Sequence, residues 1–133
     1  MEIYQIKTTE VLAMTNAEQN NLLEIFDYTG EGYNRTMNYG EWRVAFLNYA
    51  PRFDADNFSK MERHLLTDEV FVLLEGTATL VIGEEREFIE MDKHKLYNVK
   101  KGVWHQILVS RDVKILIVEN HNTDLSNSEY LEF

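Results

Sequence analysis

The chain has 133 residues, 44% of them hydrophobic, enough to build one domain around a core of its own without staples. Thirteen Lys and Arg stand against 23 Asp and Glu, a formal net charge of −10 that argues against nucleic acid and membrane surfaces and leaves small molecules as the better partner class. There is no cysteine, so disulfides and thiolate ligands are excluded and any metal must be held by His and carboxylate.

In chain order, Ile3 to Lys7 reads as a short strand. Thr15-Asn16-Ala17-Glu18 has the order of a capping box ahead of Leu22, Leu23, Ile25 and Phe26, which predicts a short helix over residues 16–28, closed by Gly30 and Gly32. From Trp42 to Tyr49, Trp42, Val44 and Phe46 alternate with Arg43, Ala45, Leu47 and Tyr49, a core strand apolar on much of both sides. Asp54-Ala55-Asp56-Asn57 is a turn. Strands are then expected over Phe58 to His64, Glu69 to Glu75, Thr77 to Ile82, Arg86 to Met91, Leu96 to Val99, Val103 to Ser110 and Val113 to Glu119. Short strands with frequent turn signals, not interleaved with helices, are the mark of an antiparallel all-β sandwich or barrel. The polar tail His121 to Phe133, with Leu125, Tyr130 and Phe133 spaced through it, is expected to drape over that barrel. No repeat, linker or domain boundary is visible, so residues 1–133 read as one domain.

Glu62 and His64 are two apart on one strand and therefore share a face. Leu65 to Asp68 leads to Glu69, at the head of the apolar run Val70 to Leu74 that stops at Gly76. An antiparallel neighbour carrying Glu69 inward brings a third ligand beside the first two. His105 shares a face with Val103, Ile107 and Val109 and is the fourth candidate. Two imidazoles and one carboxylate suit Fe(II) or Mn(II) and leave positions open for a substrate. Glu62 either completes the set or stands behind it as a general base that orients a ligand or water. The competing reading is a metal-free barrel in which Glu62 and Glu69 pair with Arg63 or Arg43.

These residues resemble the cupin family, whose first motif reads G-x5-H-x-H-x4-E-x6-G and whose second reads G-x5-P-x-G-x2-H-x3-N. Glu62, His64, Glu69 and Gly76 fall in register on the first, and Gly102 and His105 on the second. The departures are Glu62 for the first histidine, Asp56 for the leading glycine, and His94, Lys100 and Val109 for the glycine, proline and asparagine of the second motif. The resemblance runs over about residues 56–109. It implies a small antiparallel jelly-roll barrel, a divalent metal ion (Fe, Mn, Zn or Ni), and dioxygenation, isomerisation or lyase chemistry on a small oxygenated substrate. It also points to a homodimer, as do the apolar residues on both faces of Trp42 to Tyr49 and Val70 to Leu74. Two alternatives stay open: a non-catalytic small-molecule-binding or sensor protein, and a metal-free isomerase of the nucleotide-sugar type.

Arg43 interrupts an apolar strand and is a candidate clamp for an anionic substrate group, surface exposure being the commoner explanation. Tyr33, Tyr39, Trp42, Phe46, Tyr49, Phe53 and Phe58 either line a pocket or fill core and interface. His94 and His121 read as solvated. No G-x-S-x-G elbow is present and the six glycines are scattered, so neither a covalent serine mechanism nor a phosphate loop is supported. The chain also lacks a membrane-length apolar run, and its start lacks the order of a secretory signal, so a soluble cytoplasmic protein is expected.

Overall fold

The structure is a computed structural model that describes residues 22–133. Ten strands are present among them: β1 (Tyr33–Tyr39), β2 (Trp42–Asn48), β3 (Lys60–His64), β4 (Glu69–Glu75), β5 (Ala78–Ile82), β6 (Glu87–Glu90), β7 (Tyr97–Val99), β8 (His105–Val109), β9 (Lys114–Asn120) and β10 (Ser128–Glu132). They form two five-stranded antiparallel sheets, ordered β1-β2-β9-β4-β7 and β10-β3-β8-β5-β6. From β3 to β5 and again from β7 to β10 the chain changes sheet at every connection. Among the described residues no ladder joins the edges of the two sheets, so the expected barrel takes the form of two facing sheets rather than one closed ring. No helix among these residues is long and apolar enough to cross a membrane.

The period-2 alternation sets what faces inward. On β2, β9 and β4 the inward residues stand in three cross-strand rungs: Leu47–Ile115–Leu73, Ala45–Ile117–Phe71 and Arg43–Glu119–Glu69. The first two are apolar and buried against Leu80, Ile107 and Val109 of the other sheet. Each such large aliphatic side chain contributes about 1.5–3 kcal/mol on burial. The third rung is charged, and it places the core's polar end where the site lies.

Gly76 ends β4 in the left-handed region at φ +74°, and a Cβ there would come within 2.8 Å of the Val113 backbone. Glycine is required at this point both for the φ and for the close approach.

Two expectations are corrected and one strand is added. Residues 23–29 carry no regular structure, so the second half of the helix expected over 16–28 is not helical; its first part, like the strand Ile3 to Lys7, lies outside the described residues. Leu22, Leu23, Ile25 and Phe26 are exposed, and a short helix holds only when its apolar stripe is buried. Tyr33–Tyr39, with no apolar alternation, is a strand all the same, paired with β2 through a bulge between Arg35 and Met37. The tail does more than drape: after the turn Leu125–Asn127, capped by Asp124, it adds β10 to the edge of β3.

Candidate functional site

His64, Glu69 and His105 meet between the sheets. The expectation that β4 lies beside β3 is overturned, because the Leu65 to Asp68 link crosses from one sheet to the other. Glu69 therefore reaches the histidines from across the core. Its Oε1 lies 3.1 Å from His64 Nε2 and 3.0 Å from His105 Nε2, and all three residues are buried. The two imidazole rings stand edge to face with centroids 5.2 Å apart.

The backs of both rings are engaged. His105 Nδ1 faces the Val103 carbonyl at 3.0 Å, and since a carbonyl only accepts, Nδ1 carries the proton and Nε2 turns toward Glu69. His64 Nδ1 lies 2.8 Å from Ser128 Oγ, which β10 supplies through the rung Ser128–His64. The segments that carry these groups are also tied together. The Asp68 carboxylate accepts from Asn98 Nδ2 and the Lys101 amide, and the Gly102 amide donates to the His64 carbonyl.

Glu62 sits in the rung Tyr130–Glu62–His105 on the opposite sheet from Glu69. It is half-buried, with Oε1 4.0 Å from His105 Nε2. Arg43 is buried rather than on the surface. Its guanidinium donates to Glu119 Oε1 at 2.6 Å and to the carbonyls of His121 and Thr123. Tyr33 Oη donates to the same Glu119 oxygen at 2.5 Å.

Electrostatically the cluster is strained toward a cation or a shared proton. Burial alone would raise Glu69, but the hydrogen bonds and charges of His105 and His64 outweigh it and hold this carboxyl far below the usual range. Burial opposes charging of both histidines, yet Glu69 and Glu62 raise them above 6.5. Glu119 moves the other way, pushed up by burial and by the charge of Glu69.

A cavity of about 580 Å³ opens beside these residues. Glu62, His64, Glu69, His105, Arg43 and Glu119 form one part of its wall, and Tyr33, Phe53, Phe71 and Tyr130 supply aromatic surface. Of the aromatic set singled out in the sequence, Tyr33 and Phe53 line this space, whereas Tyr39 and Trp42 are exposed. His94 is exposed in a turn at φ +70°. His121 is exposed as well.

No family model and no curated protein matches the sequence. Solved structures do match the fold. A cupin-2 domain protein from Shewanella frigidimarina has a TM-score of 0.52 at 21% identity, over 71% of this chain and 85% of that one. The chain has the cupin fold. A Streptomyces Pac13 variant with uridine shares it at a TM-score of 0.59 and 9% identity, over 84% of this chain and 93% of that one. Pac13 is described as a nucleoside dehydratase. HppE in its FeII form gives 0.53 at 17% identity over 66% of this chain and 48% of that one.

Within this cupin fold, Glu119, Ser128 and Tyr130 were not anticipated from the sequence. Glu119 carried a signal all the same: it is in phase with Ile115 and Ile117, so a charged side chain there must point inward. Ser128 carried none, being a polar residue of a short, exposed strand, and Tyr130 read only as one of the apolar residues of a draping tail.

Proposed function

We propose that this cupin-fold protein holds a divalent metal ion through His64, Glu69 and His105 and binds a small organic molecule in the adjoining cavity. The observation that carries this reading is the spacing of the donor atoms. Ligands about 2.1 Å from one ion and at right angles to each other are about 3.0 Å apart, and two of the three donor pairs, Glu69 Oε1 to each Nε2, stand at 3.1 and 3.0 Å. The Nδ1 contacts to Ser128 and Val103 are the outer partners that fix ligating imidazoles. A mixed imidazole and carboxylate set suits Fe(II) or Mn(II), with Zn and Ni as further candidates. Such an ion, when bound, supplies Lewis-acid polarisation of a ligand oxygen. The chain's own contribution is to orient the small molecule against the aromatic wall and to offer Glu62 as a proton acceptor toward the cavity.

A second reading has its own support. Without metal, a protonated His105 donating through Nε2 satisfies the same 3.0 Å contact to Glu69, and the cluster then serves proton transfer, in line with the fold's likeness to a nucleoside dehydratase. Elemental analysis of protein purified without added metal, followed by titration of Mn, Fe, Zn and Ni into the chelated protein, separates the two. One equivalent bound by the parent, and lost in His64→Ala and His105→Ala, is the expected result. A parent that binds none of the four removes the metal reading in favour of proton transfer.

A further inference from the structure

We propose that Glu119 is the fourth protein ligand of the metal centre, and that Glu62 instead faces the bound small molecule. This rests on the metal reading above. Both carboxylates offer an oxygen near the cluster: Glu62 groups with both histidines, and Glu119 with His64 and Glu69, each set within 4.8 Å. Three observations favour Glu119. Its side chain is only 3% exposed, against 27% for Glu62. It stands beside Glu69 in the rung Arg43–Glu119–Glu69, where two carboxylates side by side out of water repel unless a proton or a cation lies between them.

The third observation is anchorage. Ligating carboxylates are hydrogen-bonded from behind. Glu119 Oε1 accepts from Tyr33 and Arg43, and Arg43 is itself fixed by two backbone carbonyls. Glu62 has no such support: its nearest ionic partner is His105 at 4.0 Å, and it lies beside Tyr130 on the cavity wall. Two carboxylates and two imidazoles, with Arg43 offsetting one charge, make a harder site than His64, His105 and Glu69 alone and favour Mn(II) or Fe(II).

The test is titration of Mn(II) into the full-length metal-free protein, with free Mn(II) read by electron paramagnetic resonance, for the parent, Glu119→Gln and Glu62→Gln. Glu119→Gln is expected to weaken binding more than about 100-fold, beyond the 10- to 100-fold typical of an outer partner, and Glu62→Gln less than about 10-fold. With Co(II) in the site, the visible bands are expected to move in Glu119→Gln and to stay in Glu62→Gln. Thermal unfolding of the metal-free forms checks folding. If Glu119→Gln does not fold, Glu119→Asp, which keeps the charge beside Arg43 but shortens the reach, is expected to show the same loss and the same band movement. Binding within about threefold of the parent, unmoved Co(II) bands, or a larger loss in Glu62→Gln overturns the assignment while leaving the metal reading intact. A parent that binds no metal overturns both.

Discussion

Glu69 is the acceptor common to both histidines, and the ionisation of this trio gives the site a pH signature that depends on whether metal is present. In the metal-free protein the Glu69 carboxyl is held below its ordinary 4.5, so its contribution to stability is present above that pH and is lost as pH falls toward the lowered value. His64 and His105 are held above 6.5, so theirs is complete below 6.5 and is lost as pH rises through the raised values. Glu119, raised above 4.5, contributes a separate loss as pH rises from 4.5 through its raised value. The chelated protein is therefore expected to lose thermal stability as pH rises from 6 to 8. The metal-loaded protein is expected to gain over the same interval, because metal requires neutral imidazole and competes with protons. Unfolding temperatures with and without Mn(II) across that range check it, and parallel curves would count against metal at these residues. Ser128→Ala, which frees the back of His64, is expected to weaken metal binding about 10-fold.

Among the elements, the turn after β4 closes the far end of the strand that Glu69 opens. Gly76→Ala forces a side chain into the left-handed region and against the Val113 backbone. A loss of about 2–4 kcal/mol in a urea unfolding curve is expected from the two effects together; a loss within 0.5 kcal/mol, about the size of an ordinary surface change, would refute it. The strands that carry the site were legible from their alternation, clearest on β4, which buries one face, whereas β8 is buried on both. Glu69 on β4 and His105 on β8 sit at the phases their apolar neighbours set, and Glu62 and His64 on β3 share a face opposite the buried Met61. What the alternation did not give is the partnering of strands, since period 2 fixes the face a residue takes and not the sheet in which its strand lies. Glu69 was thus read as a neighbour of His64 and is found opposite it. β1 and β10 escaped notice for a related reason: both are edge strands with little buried, and an edge strand in water needs no apolar alternation. The helix expected over 16–28 rested on a cap and an apolar stripe, but short helices draw their stability from burying that stripe, and residues 22–27 are exposed.

For the molecule as a whole, the outer surface of the sheet β1-β2-β9-β4-β7 bears on the homodimer expectation. Val44–Val118–Val70 and Phe46–Leu116–Val72 form two cross-strand rows on it, six half-buried apolar residues without a charge among them. Trp42 and Leu74 extend the patch with 45% and 41% of their surface exposed. The outer face of the second sheet also holds an apolar cluster, Met61, Val81 and Leu108 under Phe58 and Trp104, but the Arg63–Glu129 ion pair crosses it and Arg63 and Arg86 lie over the rings of Trp104 and Phe133. A net charge of −10 repels one copy from another, so association favours contact through the apolar rows of this face, which carry one cation at their margin, Lys114 over the Phe46 ring. A two-fold dimer of 15.7 kDa chains built on that face is the expected state at micromolar concentration in sedimentation equilibrium. Val118→Lys puts a cation at the centre of one row and is expected to shift the population to monomer while leaving metal binding unchanged, because Val118 points away from Glu69 and the histidines. A parent protein that sediments as a monomer, or a Val118→Lys protein that remains dimeric, would show that this face is not where two copies meet.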